Sequence, residues 1–410
     1  LEGPPNSLRK DHRYTTADLI VDVDPQKPVA RLTAGDSFAI VRQGEWSGWL
    51  RVEFPLLRRV ASAKGMFRVF VRQLHPSLEL YVSPINLDPH SPELPISAPP
   101  GFSREIADEI GPYYTQGIAE DTSALRQGAL DLREFLEQSH LVLQDERKLL
   151  RYSLRHFHDG LLFFYFSSID QNSHVLWGKY EAELLPIYRA VDEAIGEVME
   201  KEPDADLIVL SDHGFTTFDR AVNLNTWLWK QGFLSLRGAP GGDELFAHVD
   251  WSETQIYALG LNGLYLNLAG REKYGIVKRG VESEAILSKA AAQLLAFHDP
   301  ENGRQVVESA YAMPAGPGVS RAAPDMIVGY GRGYRASWQT ALGATPESVL
   351  DDNTDAWIAD HCINAVDVPG VLFSNRKIRA TDPGLKDVTV SVLALFGSKP
   401  GAAMTGRVLF

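Results

Sequence analysis

Between residues 14 and 85, short apolar runs at 19–23, 37–41, 49–54, 66–71 and 78–82 alternate with turn residues, among them Gly35, Gly44, Gly48 and Gly65. This period-two patterning predicts antiparallel β structure. Six prolines between residues 84 and 101 remove ladder donors and predict an extended strap or domain boundary. From 103 to 158 apolar residues recur every three or four positions, which predicts helices with Asp121, Asp131 and Asp145 near their starts. The texture then changes. Residues 161–166 (LLFFYF) and 207–210 (LIVL) are wholly apolar and read as strands covered on both faces, with an amphipathic helix over 184–202 between them as a βαβ unit. Strand-like runs at 251–268 and 324–330 flank a helical pattern at 282–297; another apolar run spans 368–374, and 388–396 reads as a closing helix. The expected architecture is an α/β fold with a doubly wound sheet core. It divides into a β-rich region at 1–100, a core at 101–234, an inserted α+β segment at 235–335 and a core completion at 336–410.

Composition narrows the class. Of 410 residues 44% are hydrophobic and 23% charged, ordinary for a soluble globular protein, and no run nears the ~18 apolar residues of a membrane span. A net charge of −13 without a dense basic patch argues against a nucleic-acid partner, because binding a phosphate backbone needs a positive field. The lone Cys362 excludes an intrachain disulfide and leaves the compartment open. The opening Leu-Glu-Gly-Pro-Pro shows no signal-peptide pattern.

In an open α/β sheet, ligands gather beyond the carboxyl ends of strands. Asp170 and His174 follow the run 161–166 and are four residues apart, one helical turn, so both side chains could meet one ion; alternatively Asp170 caps a helix and His174 packs. After 207–210 comes Ser211-Asp212-His213-Gly214-Phe215, where adjacent carboxylate and imidazole groups precede a glycine that permits a tight turn. In the third segment, Asp360-His361-Cys362, His361 is the candidate third ligand beside Asp170 and His174, since a catalytic zinc usually takes about three protein donors. The Cys362 side chain should point the opposite way in an extended segment and pack.

In combination and order these motifs resemble the alkaline-phosphatase superfamily, specifically its type I phosphodiesterase/nucleotide pyrophosphatase branch, from about residue 100 onward. The chain is also similar to a bacterial set of members through residues 80–88 (LYVSPINLD), 117–122 (GIAEDT), 223–227 and 257–268. The resemblance implies two divalent ions, zinc first and manganese second, with Asp170, His174 and His361 on one and Asp212 and His213 on the other. It implies a small-molecule phosphodiester or pyrophosphate substrate, since two ions about 4 Å apart can serve attacking and departing oxygens together. It also implies a Ser or Thr nucleophile and a further Asp from an amino-terminal strand and helix. Residues 1–100 offer neither: Asp22 and Asp24 lie in what reads as an exposed hairpin. Thr216 and Thr217 stand at no helix start. The chain is therefore expected to be the carboxyl-terminal portion of a longer enzyme, with the missing amino-terminal segment as its partner.

Weaker candidates are Asn353 and Arg335 as substrate contacts, Arg332 beside them, and Trp338 and Trp357 as pocket walls or packing residues; His156 and His158 read as surface histidines. Rival activities are phosphomonoesterase, sulfatase, phosphonate hydrolase and phosphoglycerate mutase. Cys362 lacks the Cys-x-Pro-x-Arg setting of a sulfatase. From another class, the chain could be a non-catalytic metal-stabilised binding domain.

Overall fold

The alternating runs at the amino terminus fold as antiparallel ladders. β1 (Glu2–Pro5) pairs with β2 (Tyr14–Thr16). β3 (Ile20–Val23), β4 (Val29–Ala34) and β5 (Ser37–Arg42) form a meander. β6 (Leu50–Leu57) pairs with β7 (Ala61–Phe67), and β8 (Val69–Gln73) with β9 (Glu79–Val82). Along β6, Leu50, Val52 and Phe54 are buried while Arg51 and Glu53 are exposed, the pleat sending alternate side chains to opposite faces. These residues join Leu32, Val41, Phe67, Val69 and Val71 in one core.

This computed structural model describes residues 1–6, 8–57, 61–314 and 320–410, divided into two units. The first holds Leu1–Asn172 and Leu185–Lys201, the second Ser173–Leu184 and Glu202–Phe410. The expected region 1–100 falls in the first unit, 235–335 and 336–410 in the second, and 101–234 is shared.

Helices follow the ladders: α1 (Phe102–Ile110), α2 (Thr122–Arg126) and α3 (Leu132–His156). Asp121 caps α2 by accepting the Ala124 N–H, and Asp131 with Glu134 forms a capping box on α3, satisfying donors that have no intrahelical partner. Asp145 is a correction: it lies inside α3, buried, with Lys148 Nζ at 2.8 Å. Its acidic character suited a helix start, but α3 has its cap fourteen residues earlier and simply runs on.

Next come α4 (Ser168–Leu176) and α5 (Glu181–Lys201). The run 161–166, expected as a strand covered on both faces, leads into α4 with alternate side chains covered. Leu162, Phe164 and Phe166 pack against Leu150, Leu154 and Ala194, whereas Leu161, Phe163 and Tyr165 are exposed.

The second unit carries β10 (Ile208–Leu210), β11 (Thr216–Val222), α6 (Leu224–Lys230), β12 (Ile256–Leu259), β13 (Gly263–Leu266) and α7 (Val281–Leu295). It continues with β14 (Val307–Ala312), β15 (Met326–Tyr330), β16 (Gly333–Ala336) and α8 (Trp338–Ala341). Last are β17 (Leu350–Asp352), β18 (Ala359–Asp360), β19 (Leu372–Ser374) and α9 (Leu385–Leu395). β12, β13, β15 and β14 make an antiparallel sheet in that order. β11 runs parallel to β16 and antiparallel to β17 and β18; β10 pairs antiparallel with β19. Mixed helices and sheets make this an α/β protein. Among the described residues β11 and β16 form the only parallel strand pair, so these ladders do not display the doubly wound parallel order that the alternation predicts. The core of this unit gathers Val222, Trp227, Leu228, Phe233, Ile256, Leu264, Val328 and Tyr330. No helix among the described residues is long and apolar enough to cross a membrane.

One buried carboxyl in the first unit has a measurable consequence. Glu120 is 1% exposed and accepts the Ser168 hydroxyl. Burial, with repulsion from Glu146, lifts its pKa from 4.5 to about 7 against the opposing Ser168 hydrogen bond. The folded pKa exceeds the unfolded one, so the stability it contributes is complete below about pH 4.5 and is lost as pH rises through 7. Unfolding free energy measured in urea should fall between pH 5 and pH 8, with Glu120 supplying roughly 3 kcal/mol of that fall. Glu120→Gln should flatten this part of the slope; an unchanged slope in the variant would contradict the assignment.

Candidate metal centre

Two backbone contacts bring distant segments of the second unit together. After β10 the chain turns through residues 211–214 against 368–371: Ser211 N donates to Val371 O at 3.0 Å, Val371 N to Ser211 Oγ at 2.9 Å, and Gly214 N to Val368 O at 2.9 Å. The approach leaves no room for a side chain. A Cβ on Gly214 would lie 2.7 Å from Pro369 O, and one on Gly370 2.4 Å from Ser211 O, so glycine is required at both. β11 then meets β18 with Thr216 opposite Asp360 and Thr217 opposite Ala359, which sets Phe215 and His361 side by side. α4 is tied to the same strand through Ile358 N donating to His174 O at 2.9 Å.

The imidazoles of His174, His213 and His361 gather at this junction. His361 and His213 stack at 3.5 Å with 10° between planes, and His174 and His361 have centroids 5.1 Å apart. Trp357 stacks on His174 at 3.7 Å. Phe215 stands edge-on to His174, His361 and His213 at 4.9, 5.3 and 5.6 Å. Asp212 Oδ1 lies 3.4 Å from His213 Nε2. Asp170 rides α4 one turn ahead of His174, and the three imidazoles form the first group of candidate donors.

Electrostatics favour the neutral form of His174 and His361. His174 is 4% exposed, and burial lowers its pKa from 6.5 to about 4 despite the opposing pull of Asp360. Its Nδ1 lies 2.9 Å from Ala359 O; a carbonyl only accepts, so Nδ1 carries the proton and Nε2 the lone pair. Burial, and next the neighbouring His213, lower His361 as well. Neutral imidazole is the form that ligates metal.

Asp360, His361 and Cys362 form the second group with donors within 4.8 Å, but Asp360 is already committed. Its Oδ2 accepts from Arg335 Nε and, at 2.9 Å, from Trp357 Nε1; its Oδ1 accepts the His361 and Cys362 N–H groups at 2.8 and 2.9 Å. Burial alone would raise its pKa, yet Arg335 and His174 hold it well below the usual carboxylate range. Asp360 therefore fits the role of orienting His361 rather than that of a metal ligand. Because it gathers two successive N–H groups, the chain bends there, and the alternation expected of an extended segment fails. Cys362 Sγ lies 3.8 Å from His361 Nδ1, on the ring's side rather than opposite.

Arg335, expected as a substrate contact, is 1% exposed. Besides Asp360 it donates to Ala336 O and packs its guanidinium 4.0 Å from the Trp338 ring centre. Asn353 shapes the loop before Trp357, donating to Trp357 O at 2.9 Å and accepting the Asp355 N–H at 3.1 Å. Arg332 pairs with Asp367. Thr216 and Thr217 lie in the β11 ladder, not at a helix start. Sequence reasoning gave no role to Asp360, Phe215 or the Asp360–Arg335 pair; the one available signal was a carboxylate directly preceding a candidate histidine ligand.

The type I phosphodiesterase / nucleotide pyrophosphatase family model matches residues 89–337. The chain belongs to that family, and through it to the alkaline phosphatase superfamily. The family suggests hydrolase activity of the phosphodiesterase or pyrophosphatase type and generally binds divalent metals. Asp170, His174, Asp212, His213 and Arg335 fall inside the matched span; Asn353 and His361 lie beyond it. No match to the chain was found among curated proteins or among solved structures.

Proposed function

We propose that this protein is a divalent-metal-dependent hydrolase of phosphodiester or pyrophosphate bonds, with Asp170, His174 and His361 holding one ion and Asp212 and His213 a second. The observation that carries the reading is the gathering of three imidazoles, with His361 stacked on His213 at 3.5 Å and 5.1 Å from His174, beside the carboxylates of Asp212 and Asp170, a donor chemistry that suits zinc, with manganese second. Such ions would polarise the phosphate and offset the charge that develops on it. The chain's own residues prepare the site. Burial keeps His174 neutral, Ala359 O fixes its tautomer, and Asp360 sets His361 through the backbone.

Phe215 and Trp357 wall the histidines from water, which strengthens electrostatic interactions there. Arg335 serves as the counter-ion of Asp360 rather than as a substrate clamp, and Asn353 as a support for the Trp357 loop. Thr216 and Thr217 are held in a ladder and are not assigned the attacking hydroxyl.

Hydrolysis of bis(p-nitrophenyl) phosphate by the protein tests this. Turnover should require Zn²⁺ or Mn²⁺, stop on chelation, and persist in Thr216→Ala and Thr217→Ala. Metal bound without turnover would favour a non-catalytic binding domain, and turnover lost in either threonine variant would overturn the nucleophile assignment.

A further inference from the structure

Asp170 and His174 ride on α4, and the groups that grip its first turns come from α3 and from the residue before the α2 cap. α3 presents Ser139 and Glu146 seven residues apart, about 10 Å along the axis at ~1.5 Å per residue and on one face. Glu146 Oε1 accepts both the backbone N–H and the hydroxyl of Ser167, at 2.8 and 2.7 Å, just ahead of α4, whose leading N–H groups have no intrahelical partners. Further along, Ser139 Oγ and the Asn172 amide exchange hydrogen bonds at 2.9 and 2.7 Å, and Asn172 Nδ2 reaches Ser168 O at 2.8 Å. Glu120 takes the Ser168 hydroxyl at 2.6 Å. Ser139, Ser168, Asn172 and Glu120 are at most 1% exposed, and Glu146 is 9% exposed.

We propose that Glu146 and Ser139, assisted by Glu120, are positioning residues that clamp α4 at Ser167–Ser168 and again at Asn172, and so set the direction in which the intervening Asp170 presents its carboxylate to metal. The proposal rests on the metal reading above. A helix held at one point can still roll about its axis and pivot, whereas two separated contacts from one rigid helix remove both freedoms. Each residue of roll turns a side chain by about 100°, and a misplacement near 1 Å is costly at a reacting centre. The clamp also carries a cost that packing alone would not require. Glu120 Oε2 and Glu146 Oε2 are buried without hydrogen-bond partners, a destabilising placement that favours a function for carboxylates at these positions.

Glu146→Ala, Glu146→Gln and Ser139→Ala in the full chain test this through two readouts. The first is amide hydrogen exchange across 168–174 without metal; the second is Zn²⁺ affinity by competition with a chromophoric chelator. Glu146→Ala should speed exchange in α4 about tenfold while the β6–β7 ladder is unchanged, and should weaken Zn²⁺ binding by about 10–100-fold. Glu146→Gln keeps an acceptor oxygen and should stay within about threefold of the parent on both. Ser139→Ala is the gentler change should Glu146→Ala fail to fold, and it should move both readouts the same way. Unchanged exchange, or faster exchange with unaltered affinity, would overturn the positioning role. A parent chain that binds no Zn²⁺ would overturn the metal reading instead, and with it the metal-directing role, while exchange still decides the clamp.

Discussion

His361→Ala should weaken Zn²⁺ binding by more than ~100-fold, beyond the ~10–100-fold usual for residues that only support a ligand, and should abolish metal-dependent phosphodiester hydrolysis. The ring stacks on His213 at 3.5 Å and lies 5.1 Å from His174, so its removal takes a donor from the first ion and the packing surface from the imidazole assigned to the second. Trp357 and Phe215 still cover the His174 ring, and the fold should stay intact. Competition with a chromophoric chelator reads the affinity and circular dichroism the fold. Affinity within about tenfold of the parent would remove His361 from the ligand set.

Asp360→Ala should destabilise the protein by roughly 3–5 kcal/mol, because it leaves the Arg335 guanidinium buried and without its carboxylate. Arg335 and Asp360 are 1% and 2% exposed, and Asp360 also serves Trp357 Nε1 and two backbone N–H groups. Removing both charges in Asp360→Ala/Arg335→Met should recover part of the loss, since the cost of an orphaned charge is then absent. Urea denaturation of the two variants measures this. A single-variant loss under about 1 kcal/mol, typical of an exposed pair, would mean that the pair does not support the site.

Much of the local structure is legible in the sequence because it is written in short-range patterns. β3, β5 and β6 answer to period-two runs that cover one face, and Asp121 and Asp131 to caps that need only a backbone N–H a few residues on. β4 escapes, since two of the three residues on its buried face, Ala30 and Ala34, are only weakly apolar. The antiparallel direction of β10 and β19 depends on a pairing that the sequence does not name.

At the candidate centre the histidines stand out because imidazoles beside acidic residues at the ends of apolar runs are chemically conspicuous. The Asp360–Arg335 pair does not, because its members are 25 residues apart and either one alone reads as a surface charge. Cys362 was misplaced for a related reason. An extended segment would alternate, but the Asp360 carboxylate gathers two successive N–H groups, a bend set by tertiary contacts with Arg335 and Trp357.

The most direct measurement is X-ray absorption fine structure on the chain loaded with one equivalent of Zn²⁺. The account predicts imidazole scattering from two histidines at about 2.0–2.1 Å and a carboxylate oxygen at about 2.0–2.2 Å, with one imidazole lost in His174→Ala. A sulfur shell at about 2.3 Å, as from Cys362, or a spectrum without imidazole scattering, would contradict it.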